Sequence, residues 1–151
     1  MEPLPALPTA PVWLVDGYNV LHAGLLGQAQ RVNWWHRSHR DRLIERVRNF
    51  ESPRAEIWVA FDGGDEGERP TGHEEDRKLA TVRVVFARSA DDWILEKVRQ
   101  SEEAAKLAVV TGDQQVAGRA RHRGAIVVSP RLFLEHCPQG ESSGKGDPSK
   151  T

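Results

Sequence analysis

Apolar residues follow two alternating patterns along the chain. Five short runs, VWLVD (12–16), AEIWVAFD (55–62), VRVVFA (82–87), LAVVTGD (107–113) and AIVVS (125–129), are rich in β-branched residues and nearly continuous in apolar ones. Such runs arise where a strand is buried on both faces, as in a parallel sheet covered by helices. Between them the apolar period lengthens. In RSHRDRLIERVRNF, Leu43, Ile44, Val47 and Phe50 recur at helical spacing, as do Trp93, Ile94 and Val98 in SADDWILEKVRQSEEA. DQQVAGRARHRG predicts a shorter helix ending on Gly124, and PRLFLEH a last one. Strand, helix, strand in repetition predicts a three-layer α/β fold around a mainly parallel five-stranded sheet.

The stretches without a period set the boundaries. Residues 63–81, GGDEGERPTGHEEDRKLAT, are full of breakers and predict a long exposed loop. The proline-rich residues 1–11 predict a flexible N-terminal segment, and CPQGESSGKGDPSKT, residues 137–151, a disordered tail. That leaves 12–136 as one domain. A chain of 151 residues suffices for a real core, burying roughly two-thirds of its extended-chain surface.

Charge adds an asymmetry rather than a total. The net charge of −1 neither demands nor excludes a polyanionic partner. Arginines and histidines outnumber acids from Arg31 to Arg54, while acids dominate from Asp62 to Asp76. The single cysteine, Cys137, excludes an internal disulfide, and no Cys/His cluster has zinc spacing. The prolines of the N-terminus are foreign to a signal peptide, and no segment approaches the roughly 20 apolar residues of a membrane span. The expectation is a soluble, cytoplasmic protein without a membrane partner.

Within that frame several aspartates share a position. Asp16 ends the first strand and Asp62 the second; Asp91 and Asp113 follow the third and fourth at helix starts. Open parallel sheets bind ligands outside the carboxyl ends of their strands, so acids distant in sequence should meet at one edge. Clustered carboxylates repel one another and resist desolvation. A hard divalent cation, Mg²⁺ or Mn²⁺, relieves both penalties. The two helix starts look like one design. In SADD, Ser89 is the expected N-cap with Asp92 at N3; in TGDQ, Thr111 is the expected N-cap with Gln114 at N3. Each then places an aspartate at N2, where the helix dipole favours the ionised form. Ser89, Asp92 and Thr111 would support the site from behind. A capping or surface role is the plainer reading of any one of these acids, and four on one edge argue against it for the set.

The motifs VDGYNVLH, VAFDGG, VVFARSADDWILE and VVTGD, in this order and spacing, resemble the YacP-like NYN domain family of the PIN-like nuclease superfamily. The resemblance covers roughly residues 12–135, and its Asp-Gly-Tyr-Asn start is fairly specific. It implies a PIN-like (Rossmann-like) fold and a metal-dependent ribonuclease, with endonucleolytic cutting expected. Asp16, Asp91 and Asp113 would be the metal-site acids, and Asn19 and Asp62 would line the same pocket. Gly17 would let backbone approach a phosphate, and Asn19 would hydrogen-bond one, although an Asx turn or helix cap explains Asn19 equally well.

The reading that results is hydrolysis of RNA phosphodiester bonds at carboxylate-bound Mg²⁺ or Mn²⁺, leaving a 5′-phosphate and a 3′-hydroxyl. The expected partner is RNA, with structured and ribosome-associated RNA both left open. Arg31, Arg37, Arg40, Arg119, Arg121 and Arg123 are the candidate phosphate contacts, and Trp34 and Trp35 candidate base-stacking residues. The alternative is an RNA-binding module of the same fold with little or no catalysis. A phosphatase of the haloacid dehalogenase type would want an aspartate where the chain has Tyr18. GGDEG (63–67) spells a cyclic-dinucleotide synthase signature but lies in a loop of a chain with the wrong layout.

Overall fold

The computed structural model describes residues 7–25, 37–51, 54–63, 67–69 and 81–138. Among these residues six strands form one sheet in the order β3-β4-β2-β1-β5-β6. They are β1 (Val12–Asp16), β2 (Glu56–Asp62), β3 (Gly67–Arg69), β4 (Thr81–Ala87), β5 (Leu107–Val110) and β6 (Ile126–Val128). Five of them pair in parallel, as the apolar runs predict. The sixth, β3, is an antiparallel edge strand on β4. It falls within the stretch expected to be one long loop, because three paired residues are too few to leave a period in the sequence.

The helices are α1 (Gly17–Val20), which widens into a π-helical turn over Leu21–Leu25, then α2 (Arg37–Val47), α3 (Ala90–Gln100), α4 (Gln114–His122) and α5 (Pro130–Glu135). Strand alternation sorts their packing. Trp13 and Val15 of β1, with Ile57, Val59 and Phe61 of β2, face α1, α2 and α5, and bury Leu43, Val47, Phe50 and Phe133 against them. Leu14 and Ala60, on the other face, pack with Ile94 and Val98 of α3 and Val116 and Ala120 of α4. The three layers follow from this two-sided burial. Trp13, 1% exposed, anchors the first face, with the rings of Phe50 and Phe133 centred 4.9 and 5.6 Å away. Helix α4 ends as its sequence predicts: Gly124 has φ +99°, and the Ala125 N–H reaches back to the Ala120 carbonyl at 3.0 Å.

The strand order places the crevice. From β1 the chain builds outward through β2 to β4, then returns to the other side of β1 with β5 and β6. The connections therefore diverge above the junction of β1 and β5, the topological switch point where open α/β sheets bind ligands.

Candidate active site

Asp16 stands at that junction. It closes β1 on the same face as Leu14, and it is buried, with 7% of its surface exposed. One oxygen, Oδ2, accepts the hydroxyl of Thr111 at 3.0 Å across the crevice. Thr111 Oγ1 in turn accepts the N–H of Asp113 at 3.1 Å. The threonine thus joins the end of β1 to the start of α4. Asn19 makes a second bridge, its Oδ1 accepting the Gly112 N–H at 2.6 Å.

This geometry corrects one register. Thr111 is not the N-cap of α4; Asp113 is, with its Oδ1 accepting the N–H groups of Gln115 at 2.8 Å and Val116 at 3.2 Å. The residue expected at N2 therefore sits one step before the helix. Threonine and aspartate both serve as N-caps, and in this chain the tertiary bond to Asp16 takes the threonine. At α3 the expectation holds: Ser89 Oγ accepts the Asp92 N–H at 3.1 Å, which places Asp91 at N2. Asp62 adds a contact that sequence reasoning missed, its Oδ1 accepting the Ala90 N–H at 2.7 Å. The signal was present, since a strand-end carboxylate facing a helix start is a natural partner for an orphan amide.

The electrostatics register the convergence. Burial pushes the Asp16 carboxyl up to about 7; the Thr111 hydrogen bond opposes this, and the charges of Asp91, Asp62 and Asp113 add to it. Asp91 is also raised, by desolvation first, then by Asp113, Asp62 and Asp92. The charges of Asp62 and Asp113 thus reach both Asp16 and Asp91 at the switch point, although separate elements hold them. Three of them each engage one oxygen in a hydrogen bond, Asp16 with Thr111, Asp62 with Ala90 and Asp113 with the α4 amides. The donor set, all hard oxygens with an unrelieved carboxylate at its centre, suits Mg²⁺ or Mn²⁺ in chemistry. Among the described residues, however, no three acidic, imidazole or thiolate side chains stand grouped to hold an ion as arranged.

The remaining candidates scatter. Arg37 is exposed and pairs with Asp41 one helical turn on, at 3.7 Å. Arg40 lies close to the site: its Nη1 donates to the Tyr18 hydroxyl at 3.3 Å, and its guanidinium lies 5.2 Å over the Phe86 ring. Arg119, on α4, and Arg123, at its C-cap one turn on, line a groove of about 510 Å³ between α3 and α4 that also includes Asp92. Arg121 is exposed outside that groove. Arg31, Trp34 and Trp35 lie outside the described residues, as do residues 1–6, 64–66, 70–80 and 139–151. Gly17 is buried rather than phosphate-facing; a Cβ there would collide with the edge of the Phe61 ring, so packing demands the glycine. Among the described residues, no helix is long and apolar enough to cross a membrane.

A five-stranded parallel core with aspartates from four elements at its switch point defines a PIN-like α/β domain. The chain belongs to the YacP-like NYN domain family, whose model matches residues 13–150. Among solved structures it is similar to Rae1 (YacP) from Bacillus subtilis, at 25% identity and a TM-score of 0.60 over 92% of this chain and 80% of that one. A tryptophan-to-leucine variant of the same Bacillus protein matches at 23% identity and a TM-score of 0.61, over 83% of this chain and 73% of the other. No curated protein matches significantly.

Proposed function

We propose that the protein is a metal-dependent ribonuclease that cuts RNA internally at the β1–β5 crevice. One observation carries the reading. A strand-end aspartate is buried at the topological switch point with its carboxyl pushed up to about 7, amid three further aspartates whose charges reach it. A fold does not maintain such a carboxylate for stability, because burying it among like charges is costly. Perturbed acids in a cleft mark functional sites.

Asp16, Asp91 and Asp113 would hold Mg²⁺ or Mn²⁺, with Asp62 and Asn19 beside them. The ion would supply Lewis acidity, lowering the pKa of water and stabilising the attacking and leaving oxygens of an in-line displacement. The protein's own groups do the positioning. Thr111 fixes the Asp16 carboxylate, Asp62 and Ser89 fix the start of α3 and so the direction of Asp91, and the Asn19–Gly112 bond ties the turn before α4 to α1. Arg40, steadied by Tyr18 and Phe86, is placed to meet a phosphate beside the crevice, and Arg119 and Arg123 to meet one along α4. The products would be a 5′-phosphate and a 3′-hydroxyl, the substrate RNA of the cytoplasm, structured or ribosome-bound.

The acids as they stand are not grouped tightly enough to ligate an ion. That favours the second reading, an RNA-binding domain with little cleavage. Incubating labelled RNA with the purified protein in Mn²⁺ decides. The nuclease reading expects cleavage that EDTA and Asp16→Asn both abolish. Binding without cleavage, or cleavage indifferent to EDTA, overturns it.

A further inference from the structure

We propose that the trough between α3 and β4 is a stacking site for an unpaired nucleotide of the RNA strand next to the cut. This rests on the nuclease reading and names the form of substrate that its site accepts. The trough follows from strand register. Trp58 and Ala60 of β2 lie beside Arg83 and Val85 of β4 on the α3 face of the sheet. Between α3 and β4 on that face runs a trough of about 780 Å³. Sites for small organic ligands span roughly 300–1,000 Å³. Val85 and Ala87 line it, while Arg88, Ser89 and Asp92 bring it beside Asp91. The trough therefore starts at the carboxylate edge and leads away from it.

Its walls suit a base and a phosphate together. The rings of Trp58 and Trp93 lie 5.7 Å apart at 44°, both half-buried, whereas Trp13 is sunk in the core. Helical spacing reads Trp93 as a core residue; the structure packs it against the margin of the second core, with its outer side half-exposed in the trough. Lys97 Nζ lies 5.3 Å over each ring, and the Arg83 guanidinium 5.2 Å over Trp58. Trp58 is held in plane by Glu56, whose Oε2 accepts its indole N–H at 2.8 Å and pairs with Arg83 at 3.6 Å. Of the two acids that line the trough, Asp92 and Glu96, the latter is engaged by Arg99 and Gln100 on its own helix. Base stacking on an aromatic face tolerates any sequence, and a neighbouring cation answers the phosphate that arrives with the base. An incoming base takes the ring face under the ammonium, and Lys97 turns to that phosphate. Paired bases cannot enter, so the trough selects strands that are unpaired beside the cut.

The test compares a single-stranded RNA with a fully paired duplex of the same sequence, in Mn²⁺, for the wild type, Trp93→Ala, Trp93→Phe and Lys97→Gln. The expected result is a KM on the single strand raised on the order of tenfold by Trp93→Ala, with kcat within about twofold. Trp93→Phe should restore most of it, and the duplex should be indifferent to all three changes. Lys97→Gln, which leaves both rings in place, should raise KM and flatten its salt dependence; it decides the matter if Trp93→Ala unfolds. Wild-type cleavage with the single-strand KM unmoved by Trp93→Ala or Lys97→Gln overturns the stacking site and leaves the nuclease standing. A wild type that neither binds nor cuts RNA overturns both.

Discussion

The starts of α3 and α4 read alike in sequence and are built differently. At α3 a serine caps the helix and Asp62 reaches across from β2 to take the Ala90 N–H, so Asp91 accepts none of the hydrogen bonds found among the described residues. At α4 the aspartate is itself the cap, holding two amides with one oxygen, because Thr111 is drawn to Asp16. Asp91 is raised in pKa and, among the described residues, accepts no hydrogen bond, whereas Asp113 caps its helix. One residue type at one sheet edge therefore divides into a group left without a hydrogen bond and a group that holds the helix.

Substitution at Asp91 tests that division most severely. Asp91→Asn should reduce cleavage in Mn²⁺ by at least about 100-fold, since even partners behind a metal ligand are worth roughly 10- to 100-fold. Its urea midpoint in EDTA should be unchanged or higher, because a repelling charge is removed. A variant that is unstable and still active would reverse the assignment.

Next in size is the pH response of the acids' shared centre. Asp16 is raised from its ordinary 3.8 to about 7. Between those values the folded state holds a proton that the unfolded state has lost. The stability contributed is full at low pH and is lost as pH rises through the folded pKa, with a slope of up to about 1.4 kcal/mol per pH unit. Urea titrations in EDTA between pH 5 and 7.5 should show this decline, and Asp16→Asn should flatten it. Mg²⁺ or Mn²⁺ at pH 7.5 should restore stability by mass action. A metal-free profile that rises over that range would remove Asp16 from the centre of the site.

The cap at α4 carries a smaller effect. Asp113→Ala should lose about 1 kcal/mol of metal-free stability, whereas Asp113→Asn, still a good N-cap, should keep most of it. Both should lose cleavage. Equal stability for the two would mean that the Asp113 carboxylate does not hold the helix in solution. Least affected is Asp92→Ala. The Asp92 backbone, not its side chain, bonds Ser89, so cleavage should persist and the unfolding free energy from urea titration should move by less than about 0.5 kcal/mol, against about 1 for Ser89→Ala.

Most of the architecture was legible along the chain. Continuous apolar runs mark strands buried on both faces, and β1 runs from Val12 to Asp16 as its pattern predicts. The start of α3, the stop of α4, and the gathering of Asp16, Asp62, Asp91 and Asp113 at one edge follow from period, caps and the rule of the strand ends. These signals are local, so the sequence carries them by itself. Three features required the tertiary structure. The three-residue β3 is too short for a period. Thr111 had two partners to choose from, and only the closeness of β1 and β5 decided for Asp16 and moved the α4 cap to Asp113. Trp93 has the spacing of a core residue, yet α3 leaves that flank beside an open trough on β4. Hydrogen bonds and packing between strands far apart in sequence depend on which neighbours the fold brings together, and no local pattern records that choice.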